Sequence, residues 1–293
     1  MPQNSSQFIS VGIPTYNSSK YFESCIKSVI NKKMINQIII SDDGSTDEEL
    51  ISLKKIISKF ENISNKEIMF SKNQKNLGAF YNKLELIKKS KNDLIYILDS
   101  DNIAGKNLDL VISDILKKQD TGDYLYQPNT MFQFYNYPKL AKFMSNFQKK
   151  YKVKFLKDEK TLDFKDIRNS LILNPGSYDI AQLIDDDSTL TTELDTDFLI
   201  DKWIFWVLNC GNFVVNKNDI IEILDKEPGF SRDLLSIDAV VFAYYWLSSG
   251  KAIYILESFY HYHRKRQDSV SFAEKENSKY ATKHFIKLIL NTK

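Results

Sequence analysis

Apolar residues follow two alternating rhythms along the first hundred positions. Phe8–Ile13 is a β-rich run ending at Pro14, and Gln37–Ser41 is a second, whose unbroken isoleucines imply burial on both faces. Between them Phe22, Cys25, Ile26, Val29 and Ile30 recur at i, i+3, i+4, i+7 and i+8, the spacing of one helix face. Ser45–x–x–Glu48 and Thr46–x–x–Glu49 are overlapping capping-box registers, and they open a helix through Phe60. Strands at Lys66–Phe70 and Leu94–Leu98, with a helix from about Leu77 to Lys89 between them, continue the order. Repeated strand–helix alternation predicts an α/β fold: a mainly parallel sheet flanked by helices on both faces.

Beyond about residue 105 the rhythm is less regular. Asn107–Lys118 reads as a helix, Asn212–Val215 as a strand, and Asn218 as the cap of a further helix. Ser236 starts a strongly apolar helix that stops at Gly250, where a C-terminal glycine belongs, and Ala252–Leu256 is a final buried strand. Tyr124–Tyr151 is rich in aromatics, which fits an aromatic core or a pocket wall. The charges from Asp185 to Asp201 are all acidic and read as a solvated loop, since the glycine and closing glutamate of a calcium loop are missing.

Composition narrows the classes of function. With 40 basic against 38 acidic residues the net charge is +2, which gives no support to nucleic-acid binding. Cys25 and Cys210 form no CxxC pattern, so neither structural zinc nor a disulfide framework is expected. The opening MPQNSSQF lacks a signal-peptide pattern, and Ala239–Leu247 is too short an apolar run to span a bilayer. The expectation is a cytoplasmic protein, with peripheral contact at the inner face of the plasma membrane left open.

Candidate chemistry gathers at the ends of the predicted strands, where open α/β sheets bind ligands. Leu98–Asp99–Ser100–Asp101–Asn102 follows the fourth strand, and two carboxylates one residue apart can turn toward one hard cation such as Mg²⁺ or Mn²⁺. Ile13–Pro14–Thr15–Tyr16–Asn17 ends the first strand and Ser41–Asp42–Asp43–Gly44–Ser45 the second. Tyr16 is placed to stack on a base and Asp43 to accept a hydrogen bond from it. Neither GxxxxGK[ST] nor GxGxxG is present, which disfavours P-loop and dinucleotide chemistry.

Together IPTYN, IIISDDGSTDEE, NLGAFYNK and ILDSDN resemble the family 2 glycosyltransferases of GT-A fold, in motif order and spacing. The resemblance covers about residues 8–105 and resumes near residue 228. It implies a bacterial, non-processive, inverting enzyme that moves a hexosyl or N-acetylhexosaminyl group from a nucleotide-sugar donor, a UDP-sugar by family habit. The acceptor would be a hydroxyl of a glycan or lipid-linked saccharide. On this reading Pro14, Thr15, Tyr16, Asn17 and Asp43 hold the nucleoside, and Asn76 lies near the ribose or diphosphate. Asp99 and Ser100 face the donor, and Asp99 and Asp101 are the motif carboxylates for Mn²⁺ or Mg²⁺.

The resemblance also places Asp238 as catalytic base, since Gly250 follows it by twelve residues and Gly229–Phe230 precedes it. Ile237 stands where the family usually carries glutamate, so the means of holding the base is open. In His261–Tyr262–His263–Arg264–Lys265–Arg266 a strand would present both histidines on one face. By family likeness Arg264 and Arg266 suit the diphosphate, and His263, ahead of His261, is a further metal ligand. The expected organisation is 1–105 for donor binding, 106–260 for acceptor binding and the base, and 261–293 as a basic C-terminal segment. Rival readings are a non-catalytic sugar-nucleotide-binding protein of the same fold and a sugar nucleotidyltransferase.

Overall fold

The computed structural model describes residues 7–118, 121–130, 160–173, 208, 211–226, 237–264, 284–285 and 288–289. Among them lies a nine-stranded sheet. Its first half is parallel: β1 (Ile9–Thr15) pairs with β2 (Ile35–Asp42) and β4 (Leu94–Ile97), and β2 with β3 (Glu67–Lys72). The helices α1 (Ser19–Ile30), α2 (Asp47–Glu61) and α3 (Ala79–Lys88) supply the crossovers. The sheet then continues through β8 (Phe213–Asn216), antiparallel to both β4 and β6 (Tyr124–Thr130). The long β9 (Ala252–Tyr262) runs parallel to β6 and carries β5 (Ile103–Ala104) and β7 (Lys160–Leu162) antiparallel to it.

Alternation along the central strands sorts their side chains into two apolar layers. Ile38, Ile40, Leu94, Tyr96 and Val214 pack on one face with α1, α2 and α4 (Leu108–Lys117). Ile39, Ile95, Ile97, Phe213 and Val215 pack on the other with α3, α6 (Lys217–Asp225) and α7 (Asp238–Ser248). The helix α5 (Phe164–Leu173) follows β7, and its Ile167 joins the second layer. The expected face of α1 is buried at all five positions, Phe22, Cys25, Ile26, Val29 and Ile30. In α7 nearly every side chain from Ala239 to Leu247 is buried, so it is a central helix rather than an amphipathic one. It ends before Gly250, whose φ of 83° suits a residue without Cβ.

Details of capping differ from the sequence reading. Of the two registers before α2 the Thr46 one is used, with Thr46 accepting from the Glu49 N–H at 3.4 Å. The Glu49 carboxylate does not return to that cap. It accepts the Ser19 N–H at 2.9 Å, tying α2 to the start of α1. The cap of α6 is Asn216 rather than Asn218: its Oδ1 accepts from both Asn218 N and Asp219 N. The final strand runs on to Tyr262, well past Leu256, because β5 and β6 both give it partners. The aromatic stretch after Thr130 and the acidic run Asp185–Asp201 lie outside the described residues, as do Gly229, Phe230, Cys210 and Arg266.

Candidate active site

The ends of β1 and β2 form one polar rim. Asp43 N donates to Thr15 O at 2.8 Å, and the buried Asp42 accepts from Thr15 Oγ1, Ser45 N and Ser45 Oγ. Asp42 therefore builds the turn, and Asp43 holds the next loop. The Asp43 carboxylate accepts from Asn73 Nδ2, Leu77 N and Gly78 N, each at 2.9 Å. Asn17 sits at φ 45° and is held in place at both ends, its N–H donating to Ser45 Oγ and its Oδ1 accepting from Thr46 N. Tyr16 beside it is 42% exposed. Gly44 passes so close to Asn76 that an added Cβ would lie 3.0 Å from the Asn76 N. Pro14, Thr15, Tyr16, Asn17, Asp43 and Asn76 are thus all on one rim.

The turn after β4 lies against this rim, because Ser100 Oγ donates to Ser18 Oγ at 2.9 Å. Asp99 is held by its backbone and by one carboxylate oxygen. Its N–H donates to Asn212 Oδ1 at 2.8 Å, and its carbonyl accepts from Asn102 N at 2.9 Å and from Cys25 Sγ at 3.6 Å. Its Oδ1 is 2.8 Å from Lys83 Nζ. Charges crowd the buried Cys25, whose thiol is pushed up first by burial, then by Asp101 and Asp99, with Arg264 opposing.

The sequence reading missed Lys83. This lysine of α3 is 3% exposed, and its ammonium touches Asp99 Oδ1 at 2.8 Å, Asp238 Oδ2 at 2.7 Å and Gly211 O at 3.2 Å. Burial opposes its charge, but the Asp238 and Asp99 carboxylates outweigh that and hold its pKa above the usual lysine value. Asp99 is pushed upward by burial and by the charge of Asp238, against the pull of Lys83. A signal was present in the chain: Phe80, Lys83 and Ile87 share the i, i+3, i+7 face that α3 buries. A lysine on such a face needs a buried partner.

Asp238 begins α7, where a carboxylate complements the helix dipole. Ile237 before it is buried in the apolar layer, so Lys83 supplies the charged contact to Asp238. Gly211 is needed beside this cluster, because a Cβ there would lie 2.5 Å from Asp99 Oδ2. Gly211 and Asn212 were also not singled out from the sequence, since no local pattern marks a loop residue for contact with a distant motif.

The basic C-terminal segment reaches the same turn. β9 pairs with β5 through Tyr262 opposite Ile103, and the Arg264 N–H donates to Asn102 Oδ1 at 3.1 Å. The Arg264 guanidinium lies over the Tyr21 ring at 4.4 Å. His261 is buried, with Nε2 3.2 Å from Asn212 Nδ2 and no hydrogen-bond partner at Nδ1 among the described residues. Burial, with a smaller push from His263, pulls its pKa down to about 3, and burial pulls His263 down to about 4. Both rings are therefore neutral near pH 7. Among the described residues no three His, Cys, Asp or Glu side chains are grouped to hold a metal by themselves.

A mainly parallel sheet with carboxylates gathered beyond its strand ends defines an α/β protein of the GT-A class. Residues 10–172 match the family described as Glycosyl transferase family 2, and the chain belongs to that family. Similar curated proteins include the abequosyltransferase RfbV of Salmonella typhimurium, 32% identical over 114 residues, covering 38% of this chain and 33% of that one. The poly(ribitol-phosphate) beta-glucosyltransferase of Bacillus spizizenii is 32% identical over 100 residues, 33% of this chain and 15% of that one. The matched region is thus a third or less of either relative's own length. The fold is shared with S. aureus TarS in complex with UDP-GlcNAc, at TM-score 0.58 and 16% identity over 97% of this chain and 66% of that one. It is shared too with the mannosyltransferase PcManGT of Pyrobaculum calidifontis in complex with GDP-Man and Mn²⁺, at TM-score 0.55 and 11% identity over 100% and 69%.

Proposed function

We propose that this chain transfers one sugar from a nucleoside-diphosphate donor, a UDP-sugar, to a hydroxyl of a glycan or lipid-linked saccharide. Asp238 serves as base and the anomeric centre is inverted. The observation that carries this reading is the meeting of Asp99, from the donor-side turn, and Asp238, from α7, at one buried ammonium. An acceptor hydroxyl attacks poorly until a positioned carboxylate takes its proton, which contributes ~10²–10⁴-fold. A single base opposite a diphosphate leaving group gives in-line displacement, with no covalent intermediate on the protein.

On the donor side the rim from Pro14 to Asn17, with Asp43 and Asn76, takes the nucleoside, the exposed Tyr16 offering its ring for stacking. Asp99 and Ser100 face the ribose and Arg264 the diphosphate, where a guanidinium binds phosphate oxygens in pairs. The donor set fits a divalent cation, Mn²⁺ or Mg²⁺. Asp101 supplies carboxylate oxygen at a partly exposed turn, and His263, held neutral by burial, supplies an imidazole nitrogen. With Asp99 Oδ1 engaged by Lys83, Asp101 and His263 would hold the ion together with donor phosphates. Charge compensation at the leaving diphosphate is the chemistry such a cation supplies when bound. No helix of the described residues is long and apolar enough to cross a membrane. A cytoplasmic protein that meets its acceptor at the inner membrane face suits that finding.

A thermal-shift panel of UDP, GDP and dTDP with and without Mn²⁺ tests the reading, since a ligand that binds only the folded chain raises its stability. UDP with Mn²⁺ should give the largest shift, and Asp101→Ala should remove the Mn²⁺-dependent part. Asp238→Asn should keep the shift and lose sugar transfer. Transfer by Asp238→Asn at the unmutated rate would refute the assignment of the base.

A further inference from the structure

A lysine buried to 3% exposure on an apolar helix face is costly unless its charge is matched. Lys83 donates a hydrogen bond to Gly211 O at 3.2 Å and pairs its charge with Asp99 Oδ1 at 2.8 Å and Asp238 Oδ2 at 2.7 Å. Closed off at that depth, it acts on the reaction through the two carboxylates. Those carboxylates come from separate elements, Asp99 from the turn after β4 and Asp238 from the first residue of α7. We propose that Lys83 is the positioning residue of this site, holding the base and the donor-side carboxylate in one charge-balanced cluster. This rests on Asp238 being the base.

The charge balance matters as much as the placement. Two carboxylates drawn to one place repel, and the ammonium between them offsets that repulsion. With the ammonium removed, the Asp238 and Asp99 side chains lose their common anchor, and the base is no longer held in register with the donor-side turn.

The test measures release of UDP from UDP-glucose, UDP-galactose and UDP-N-acetylglucosamine, with water as acceptor, for the full chain and five variants at pH 7. Lys83→Met should lose at least about 100-fold in kcat. Lys83→Arg, which keeps a cation, should recover at least about tenfold of that loss. Asp99→Asn combined with Lys83→Met should lose no more than Lys83→Met alone, because both act through one cluster. If Lys83→Met does not fold, Lys83→Gln takes its place in both comparisons. A kcat left unchanged by removal of the lysine overturns the inference, as do losses that add in the double variant or an arginine that recovers nothing. Asp238→Asn separates the two readings: full turnover there overturns both this inference and the assignment of the base. If Asp238→Asn is dead and Lys83→Met turns over as the full chain does, only the role given to Lys83 falls.

Discussion

Asn212 holds Asp99 by the backbone: its Oδ1 accepts the Asp99 N–H at 2.8 Å, while its Nδ2 faces His261 Nε2 at 3.2 Å. One amide thus joins the turn after β4 to β9 from a position just before β8. Its orientation assigns Nε2 of His261 as acceptor and leaves the proton on Nδ1. Replacing Asn212 by Leu keeps the volume and strands both neighbours. A buried donor left unsatisfied costs about 1–3 kcal/mol. Urea denaturation of Asn212→Leu should show that loss, together with a smaller UDP-induced thermal shift, since the Asp99 N–H is no longer held.

Gly211 tests how closely the base cluster is packed. Its φ is ordinary, so alanine suffers no backbone strain there, yet the added Cβ would sit 2.5 Å from Asp99 Oδ2 and 3.1 Å from Lys83 Nζ. Overpacking of this kind costs about 1–3 kcal/mol. Gly211→Ala should lose turnover by at least about tenfold, because a carboxylate has to move. Gly122→Ala, whose Cβ would meet Asp219 away from this cluster, is the control and should keep it.

Asp43 is expected to act on donor binding through the loop that it organises. Three N–H groups converge on its carboxylate, two of them from the backbone just before α3. Hydrogen bonds to a charged acceptor are worth about 1.5–3 kcal/mol each. Asp43→Ala should therefore destabilise the fold by several kcal/mol in urea and weaken UDP binding by at least about tenfold in calorimetry.

The two histidines of β9 and its end predict sensitivity to acid. Burial pulls His261 to about 3 and His263 to about 4, below histidine's usual value near 6.5. The unfolded chain then takes up protons first as pH falls. Stability is full above about pH 6.5 and drains below it, at up to about 1.4 kcal/mol per pH unit for each ring. Urea midpoints in chelator-containing buffer between pH 7.5 and 4.5 should fall with that slope. His261→Gln should flatten it, and an equal slope in the variant would contradict the assignment.

The regular half of the fold was readable because its signals are local. The helix face of α1, the doubly buried isoleucines of β2 and the stop at Gly250 each depend on spacing within a dozen residues. The polar ends of β1, β2 and β4 were readable for the same reason, since strand order places them on one rim. The cap expected at Asn218 falls instead at Asn216, because two asparagines so close together give the same signal and only the backbone turn separates them.

By itself the sequence determined an α/β sheet of GT-A class and the motif carboxylates that line its edge. Only the tertiary structure decided what those carboxylates touch. Lys83 meets Asp99 and Asp238, and Asn212 meets Asp99 and His261, across long stretches of chain. Periodicity records which face of an element is buried, because solvent acts on every residue alike. It carries no record of which buried charge will find which partner, because that depends on how separate elements pack.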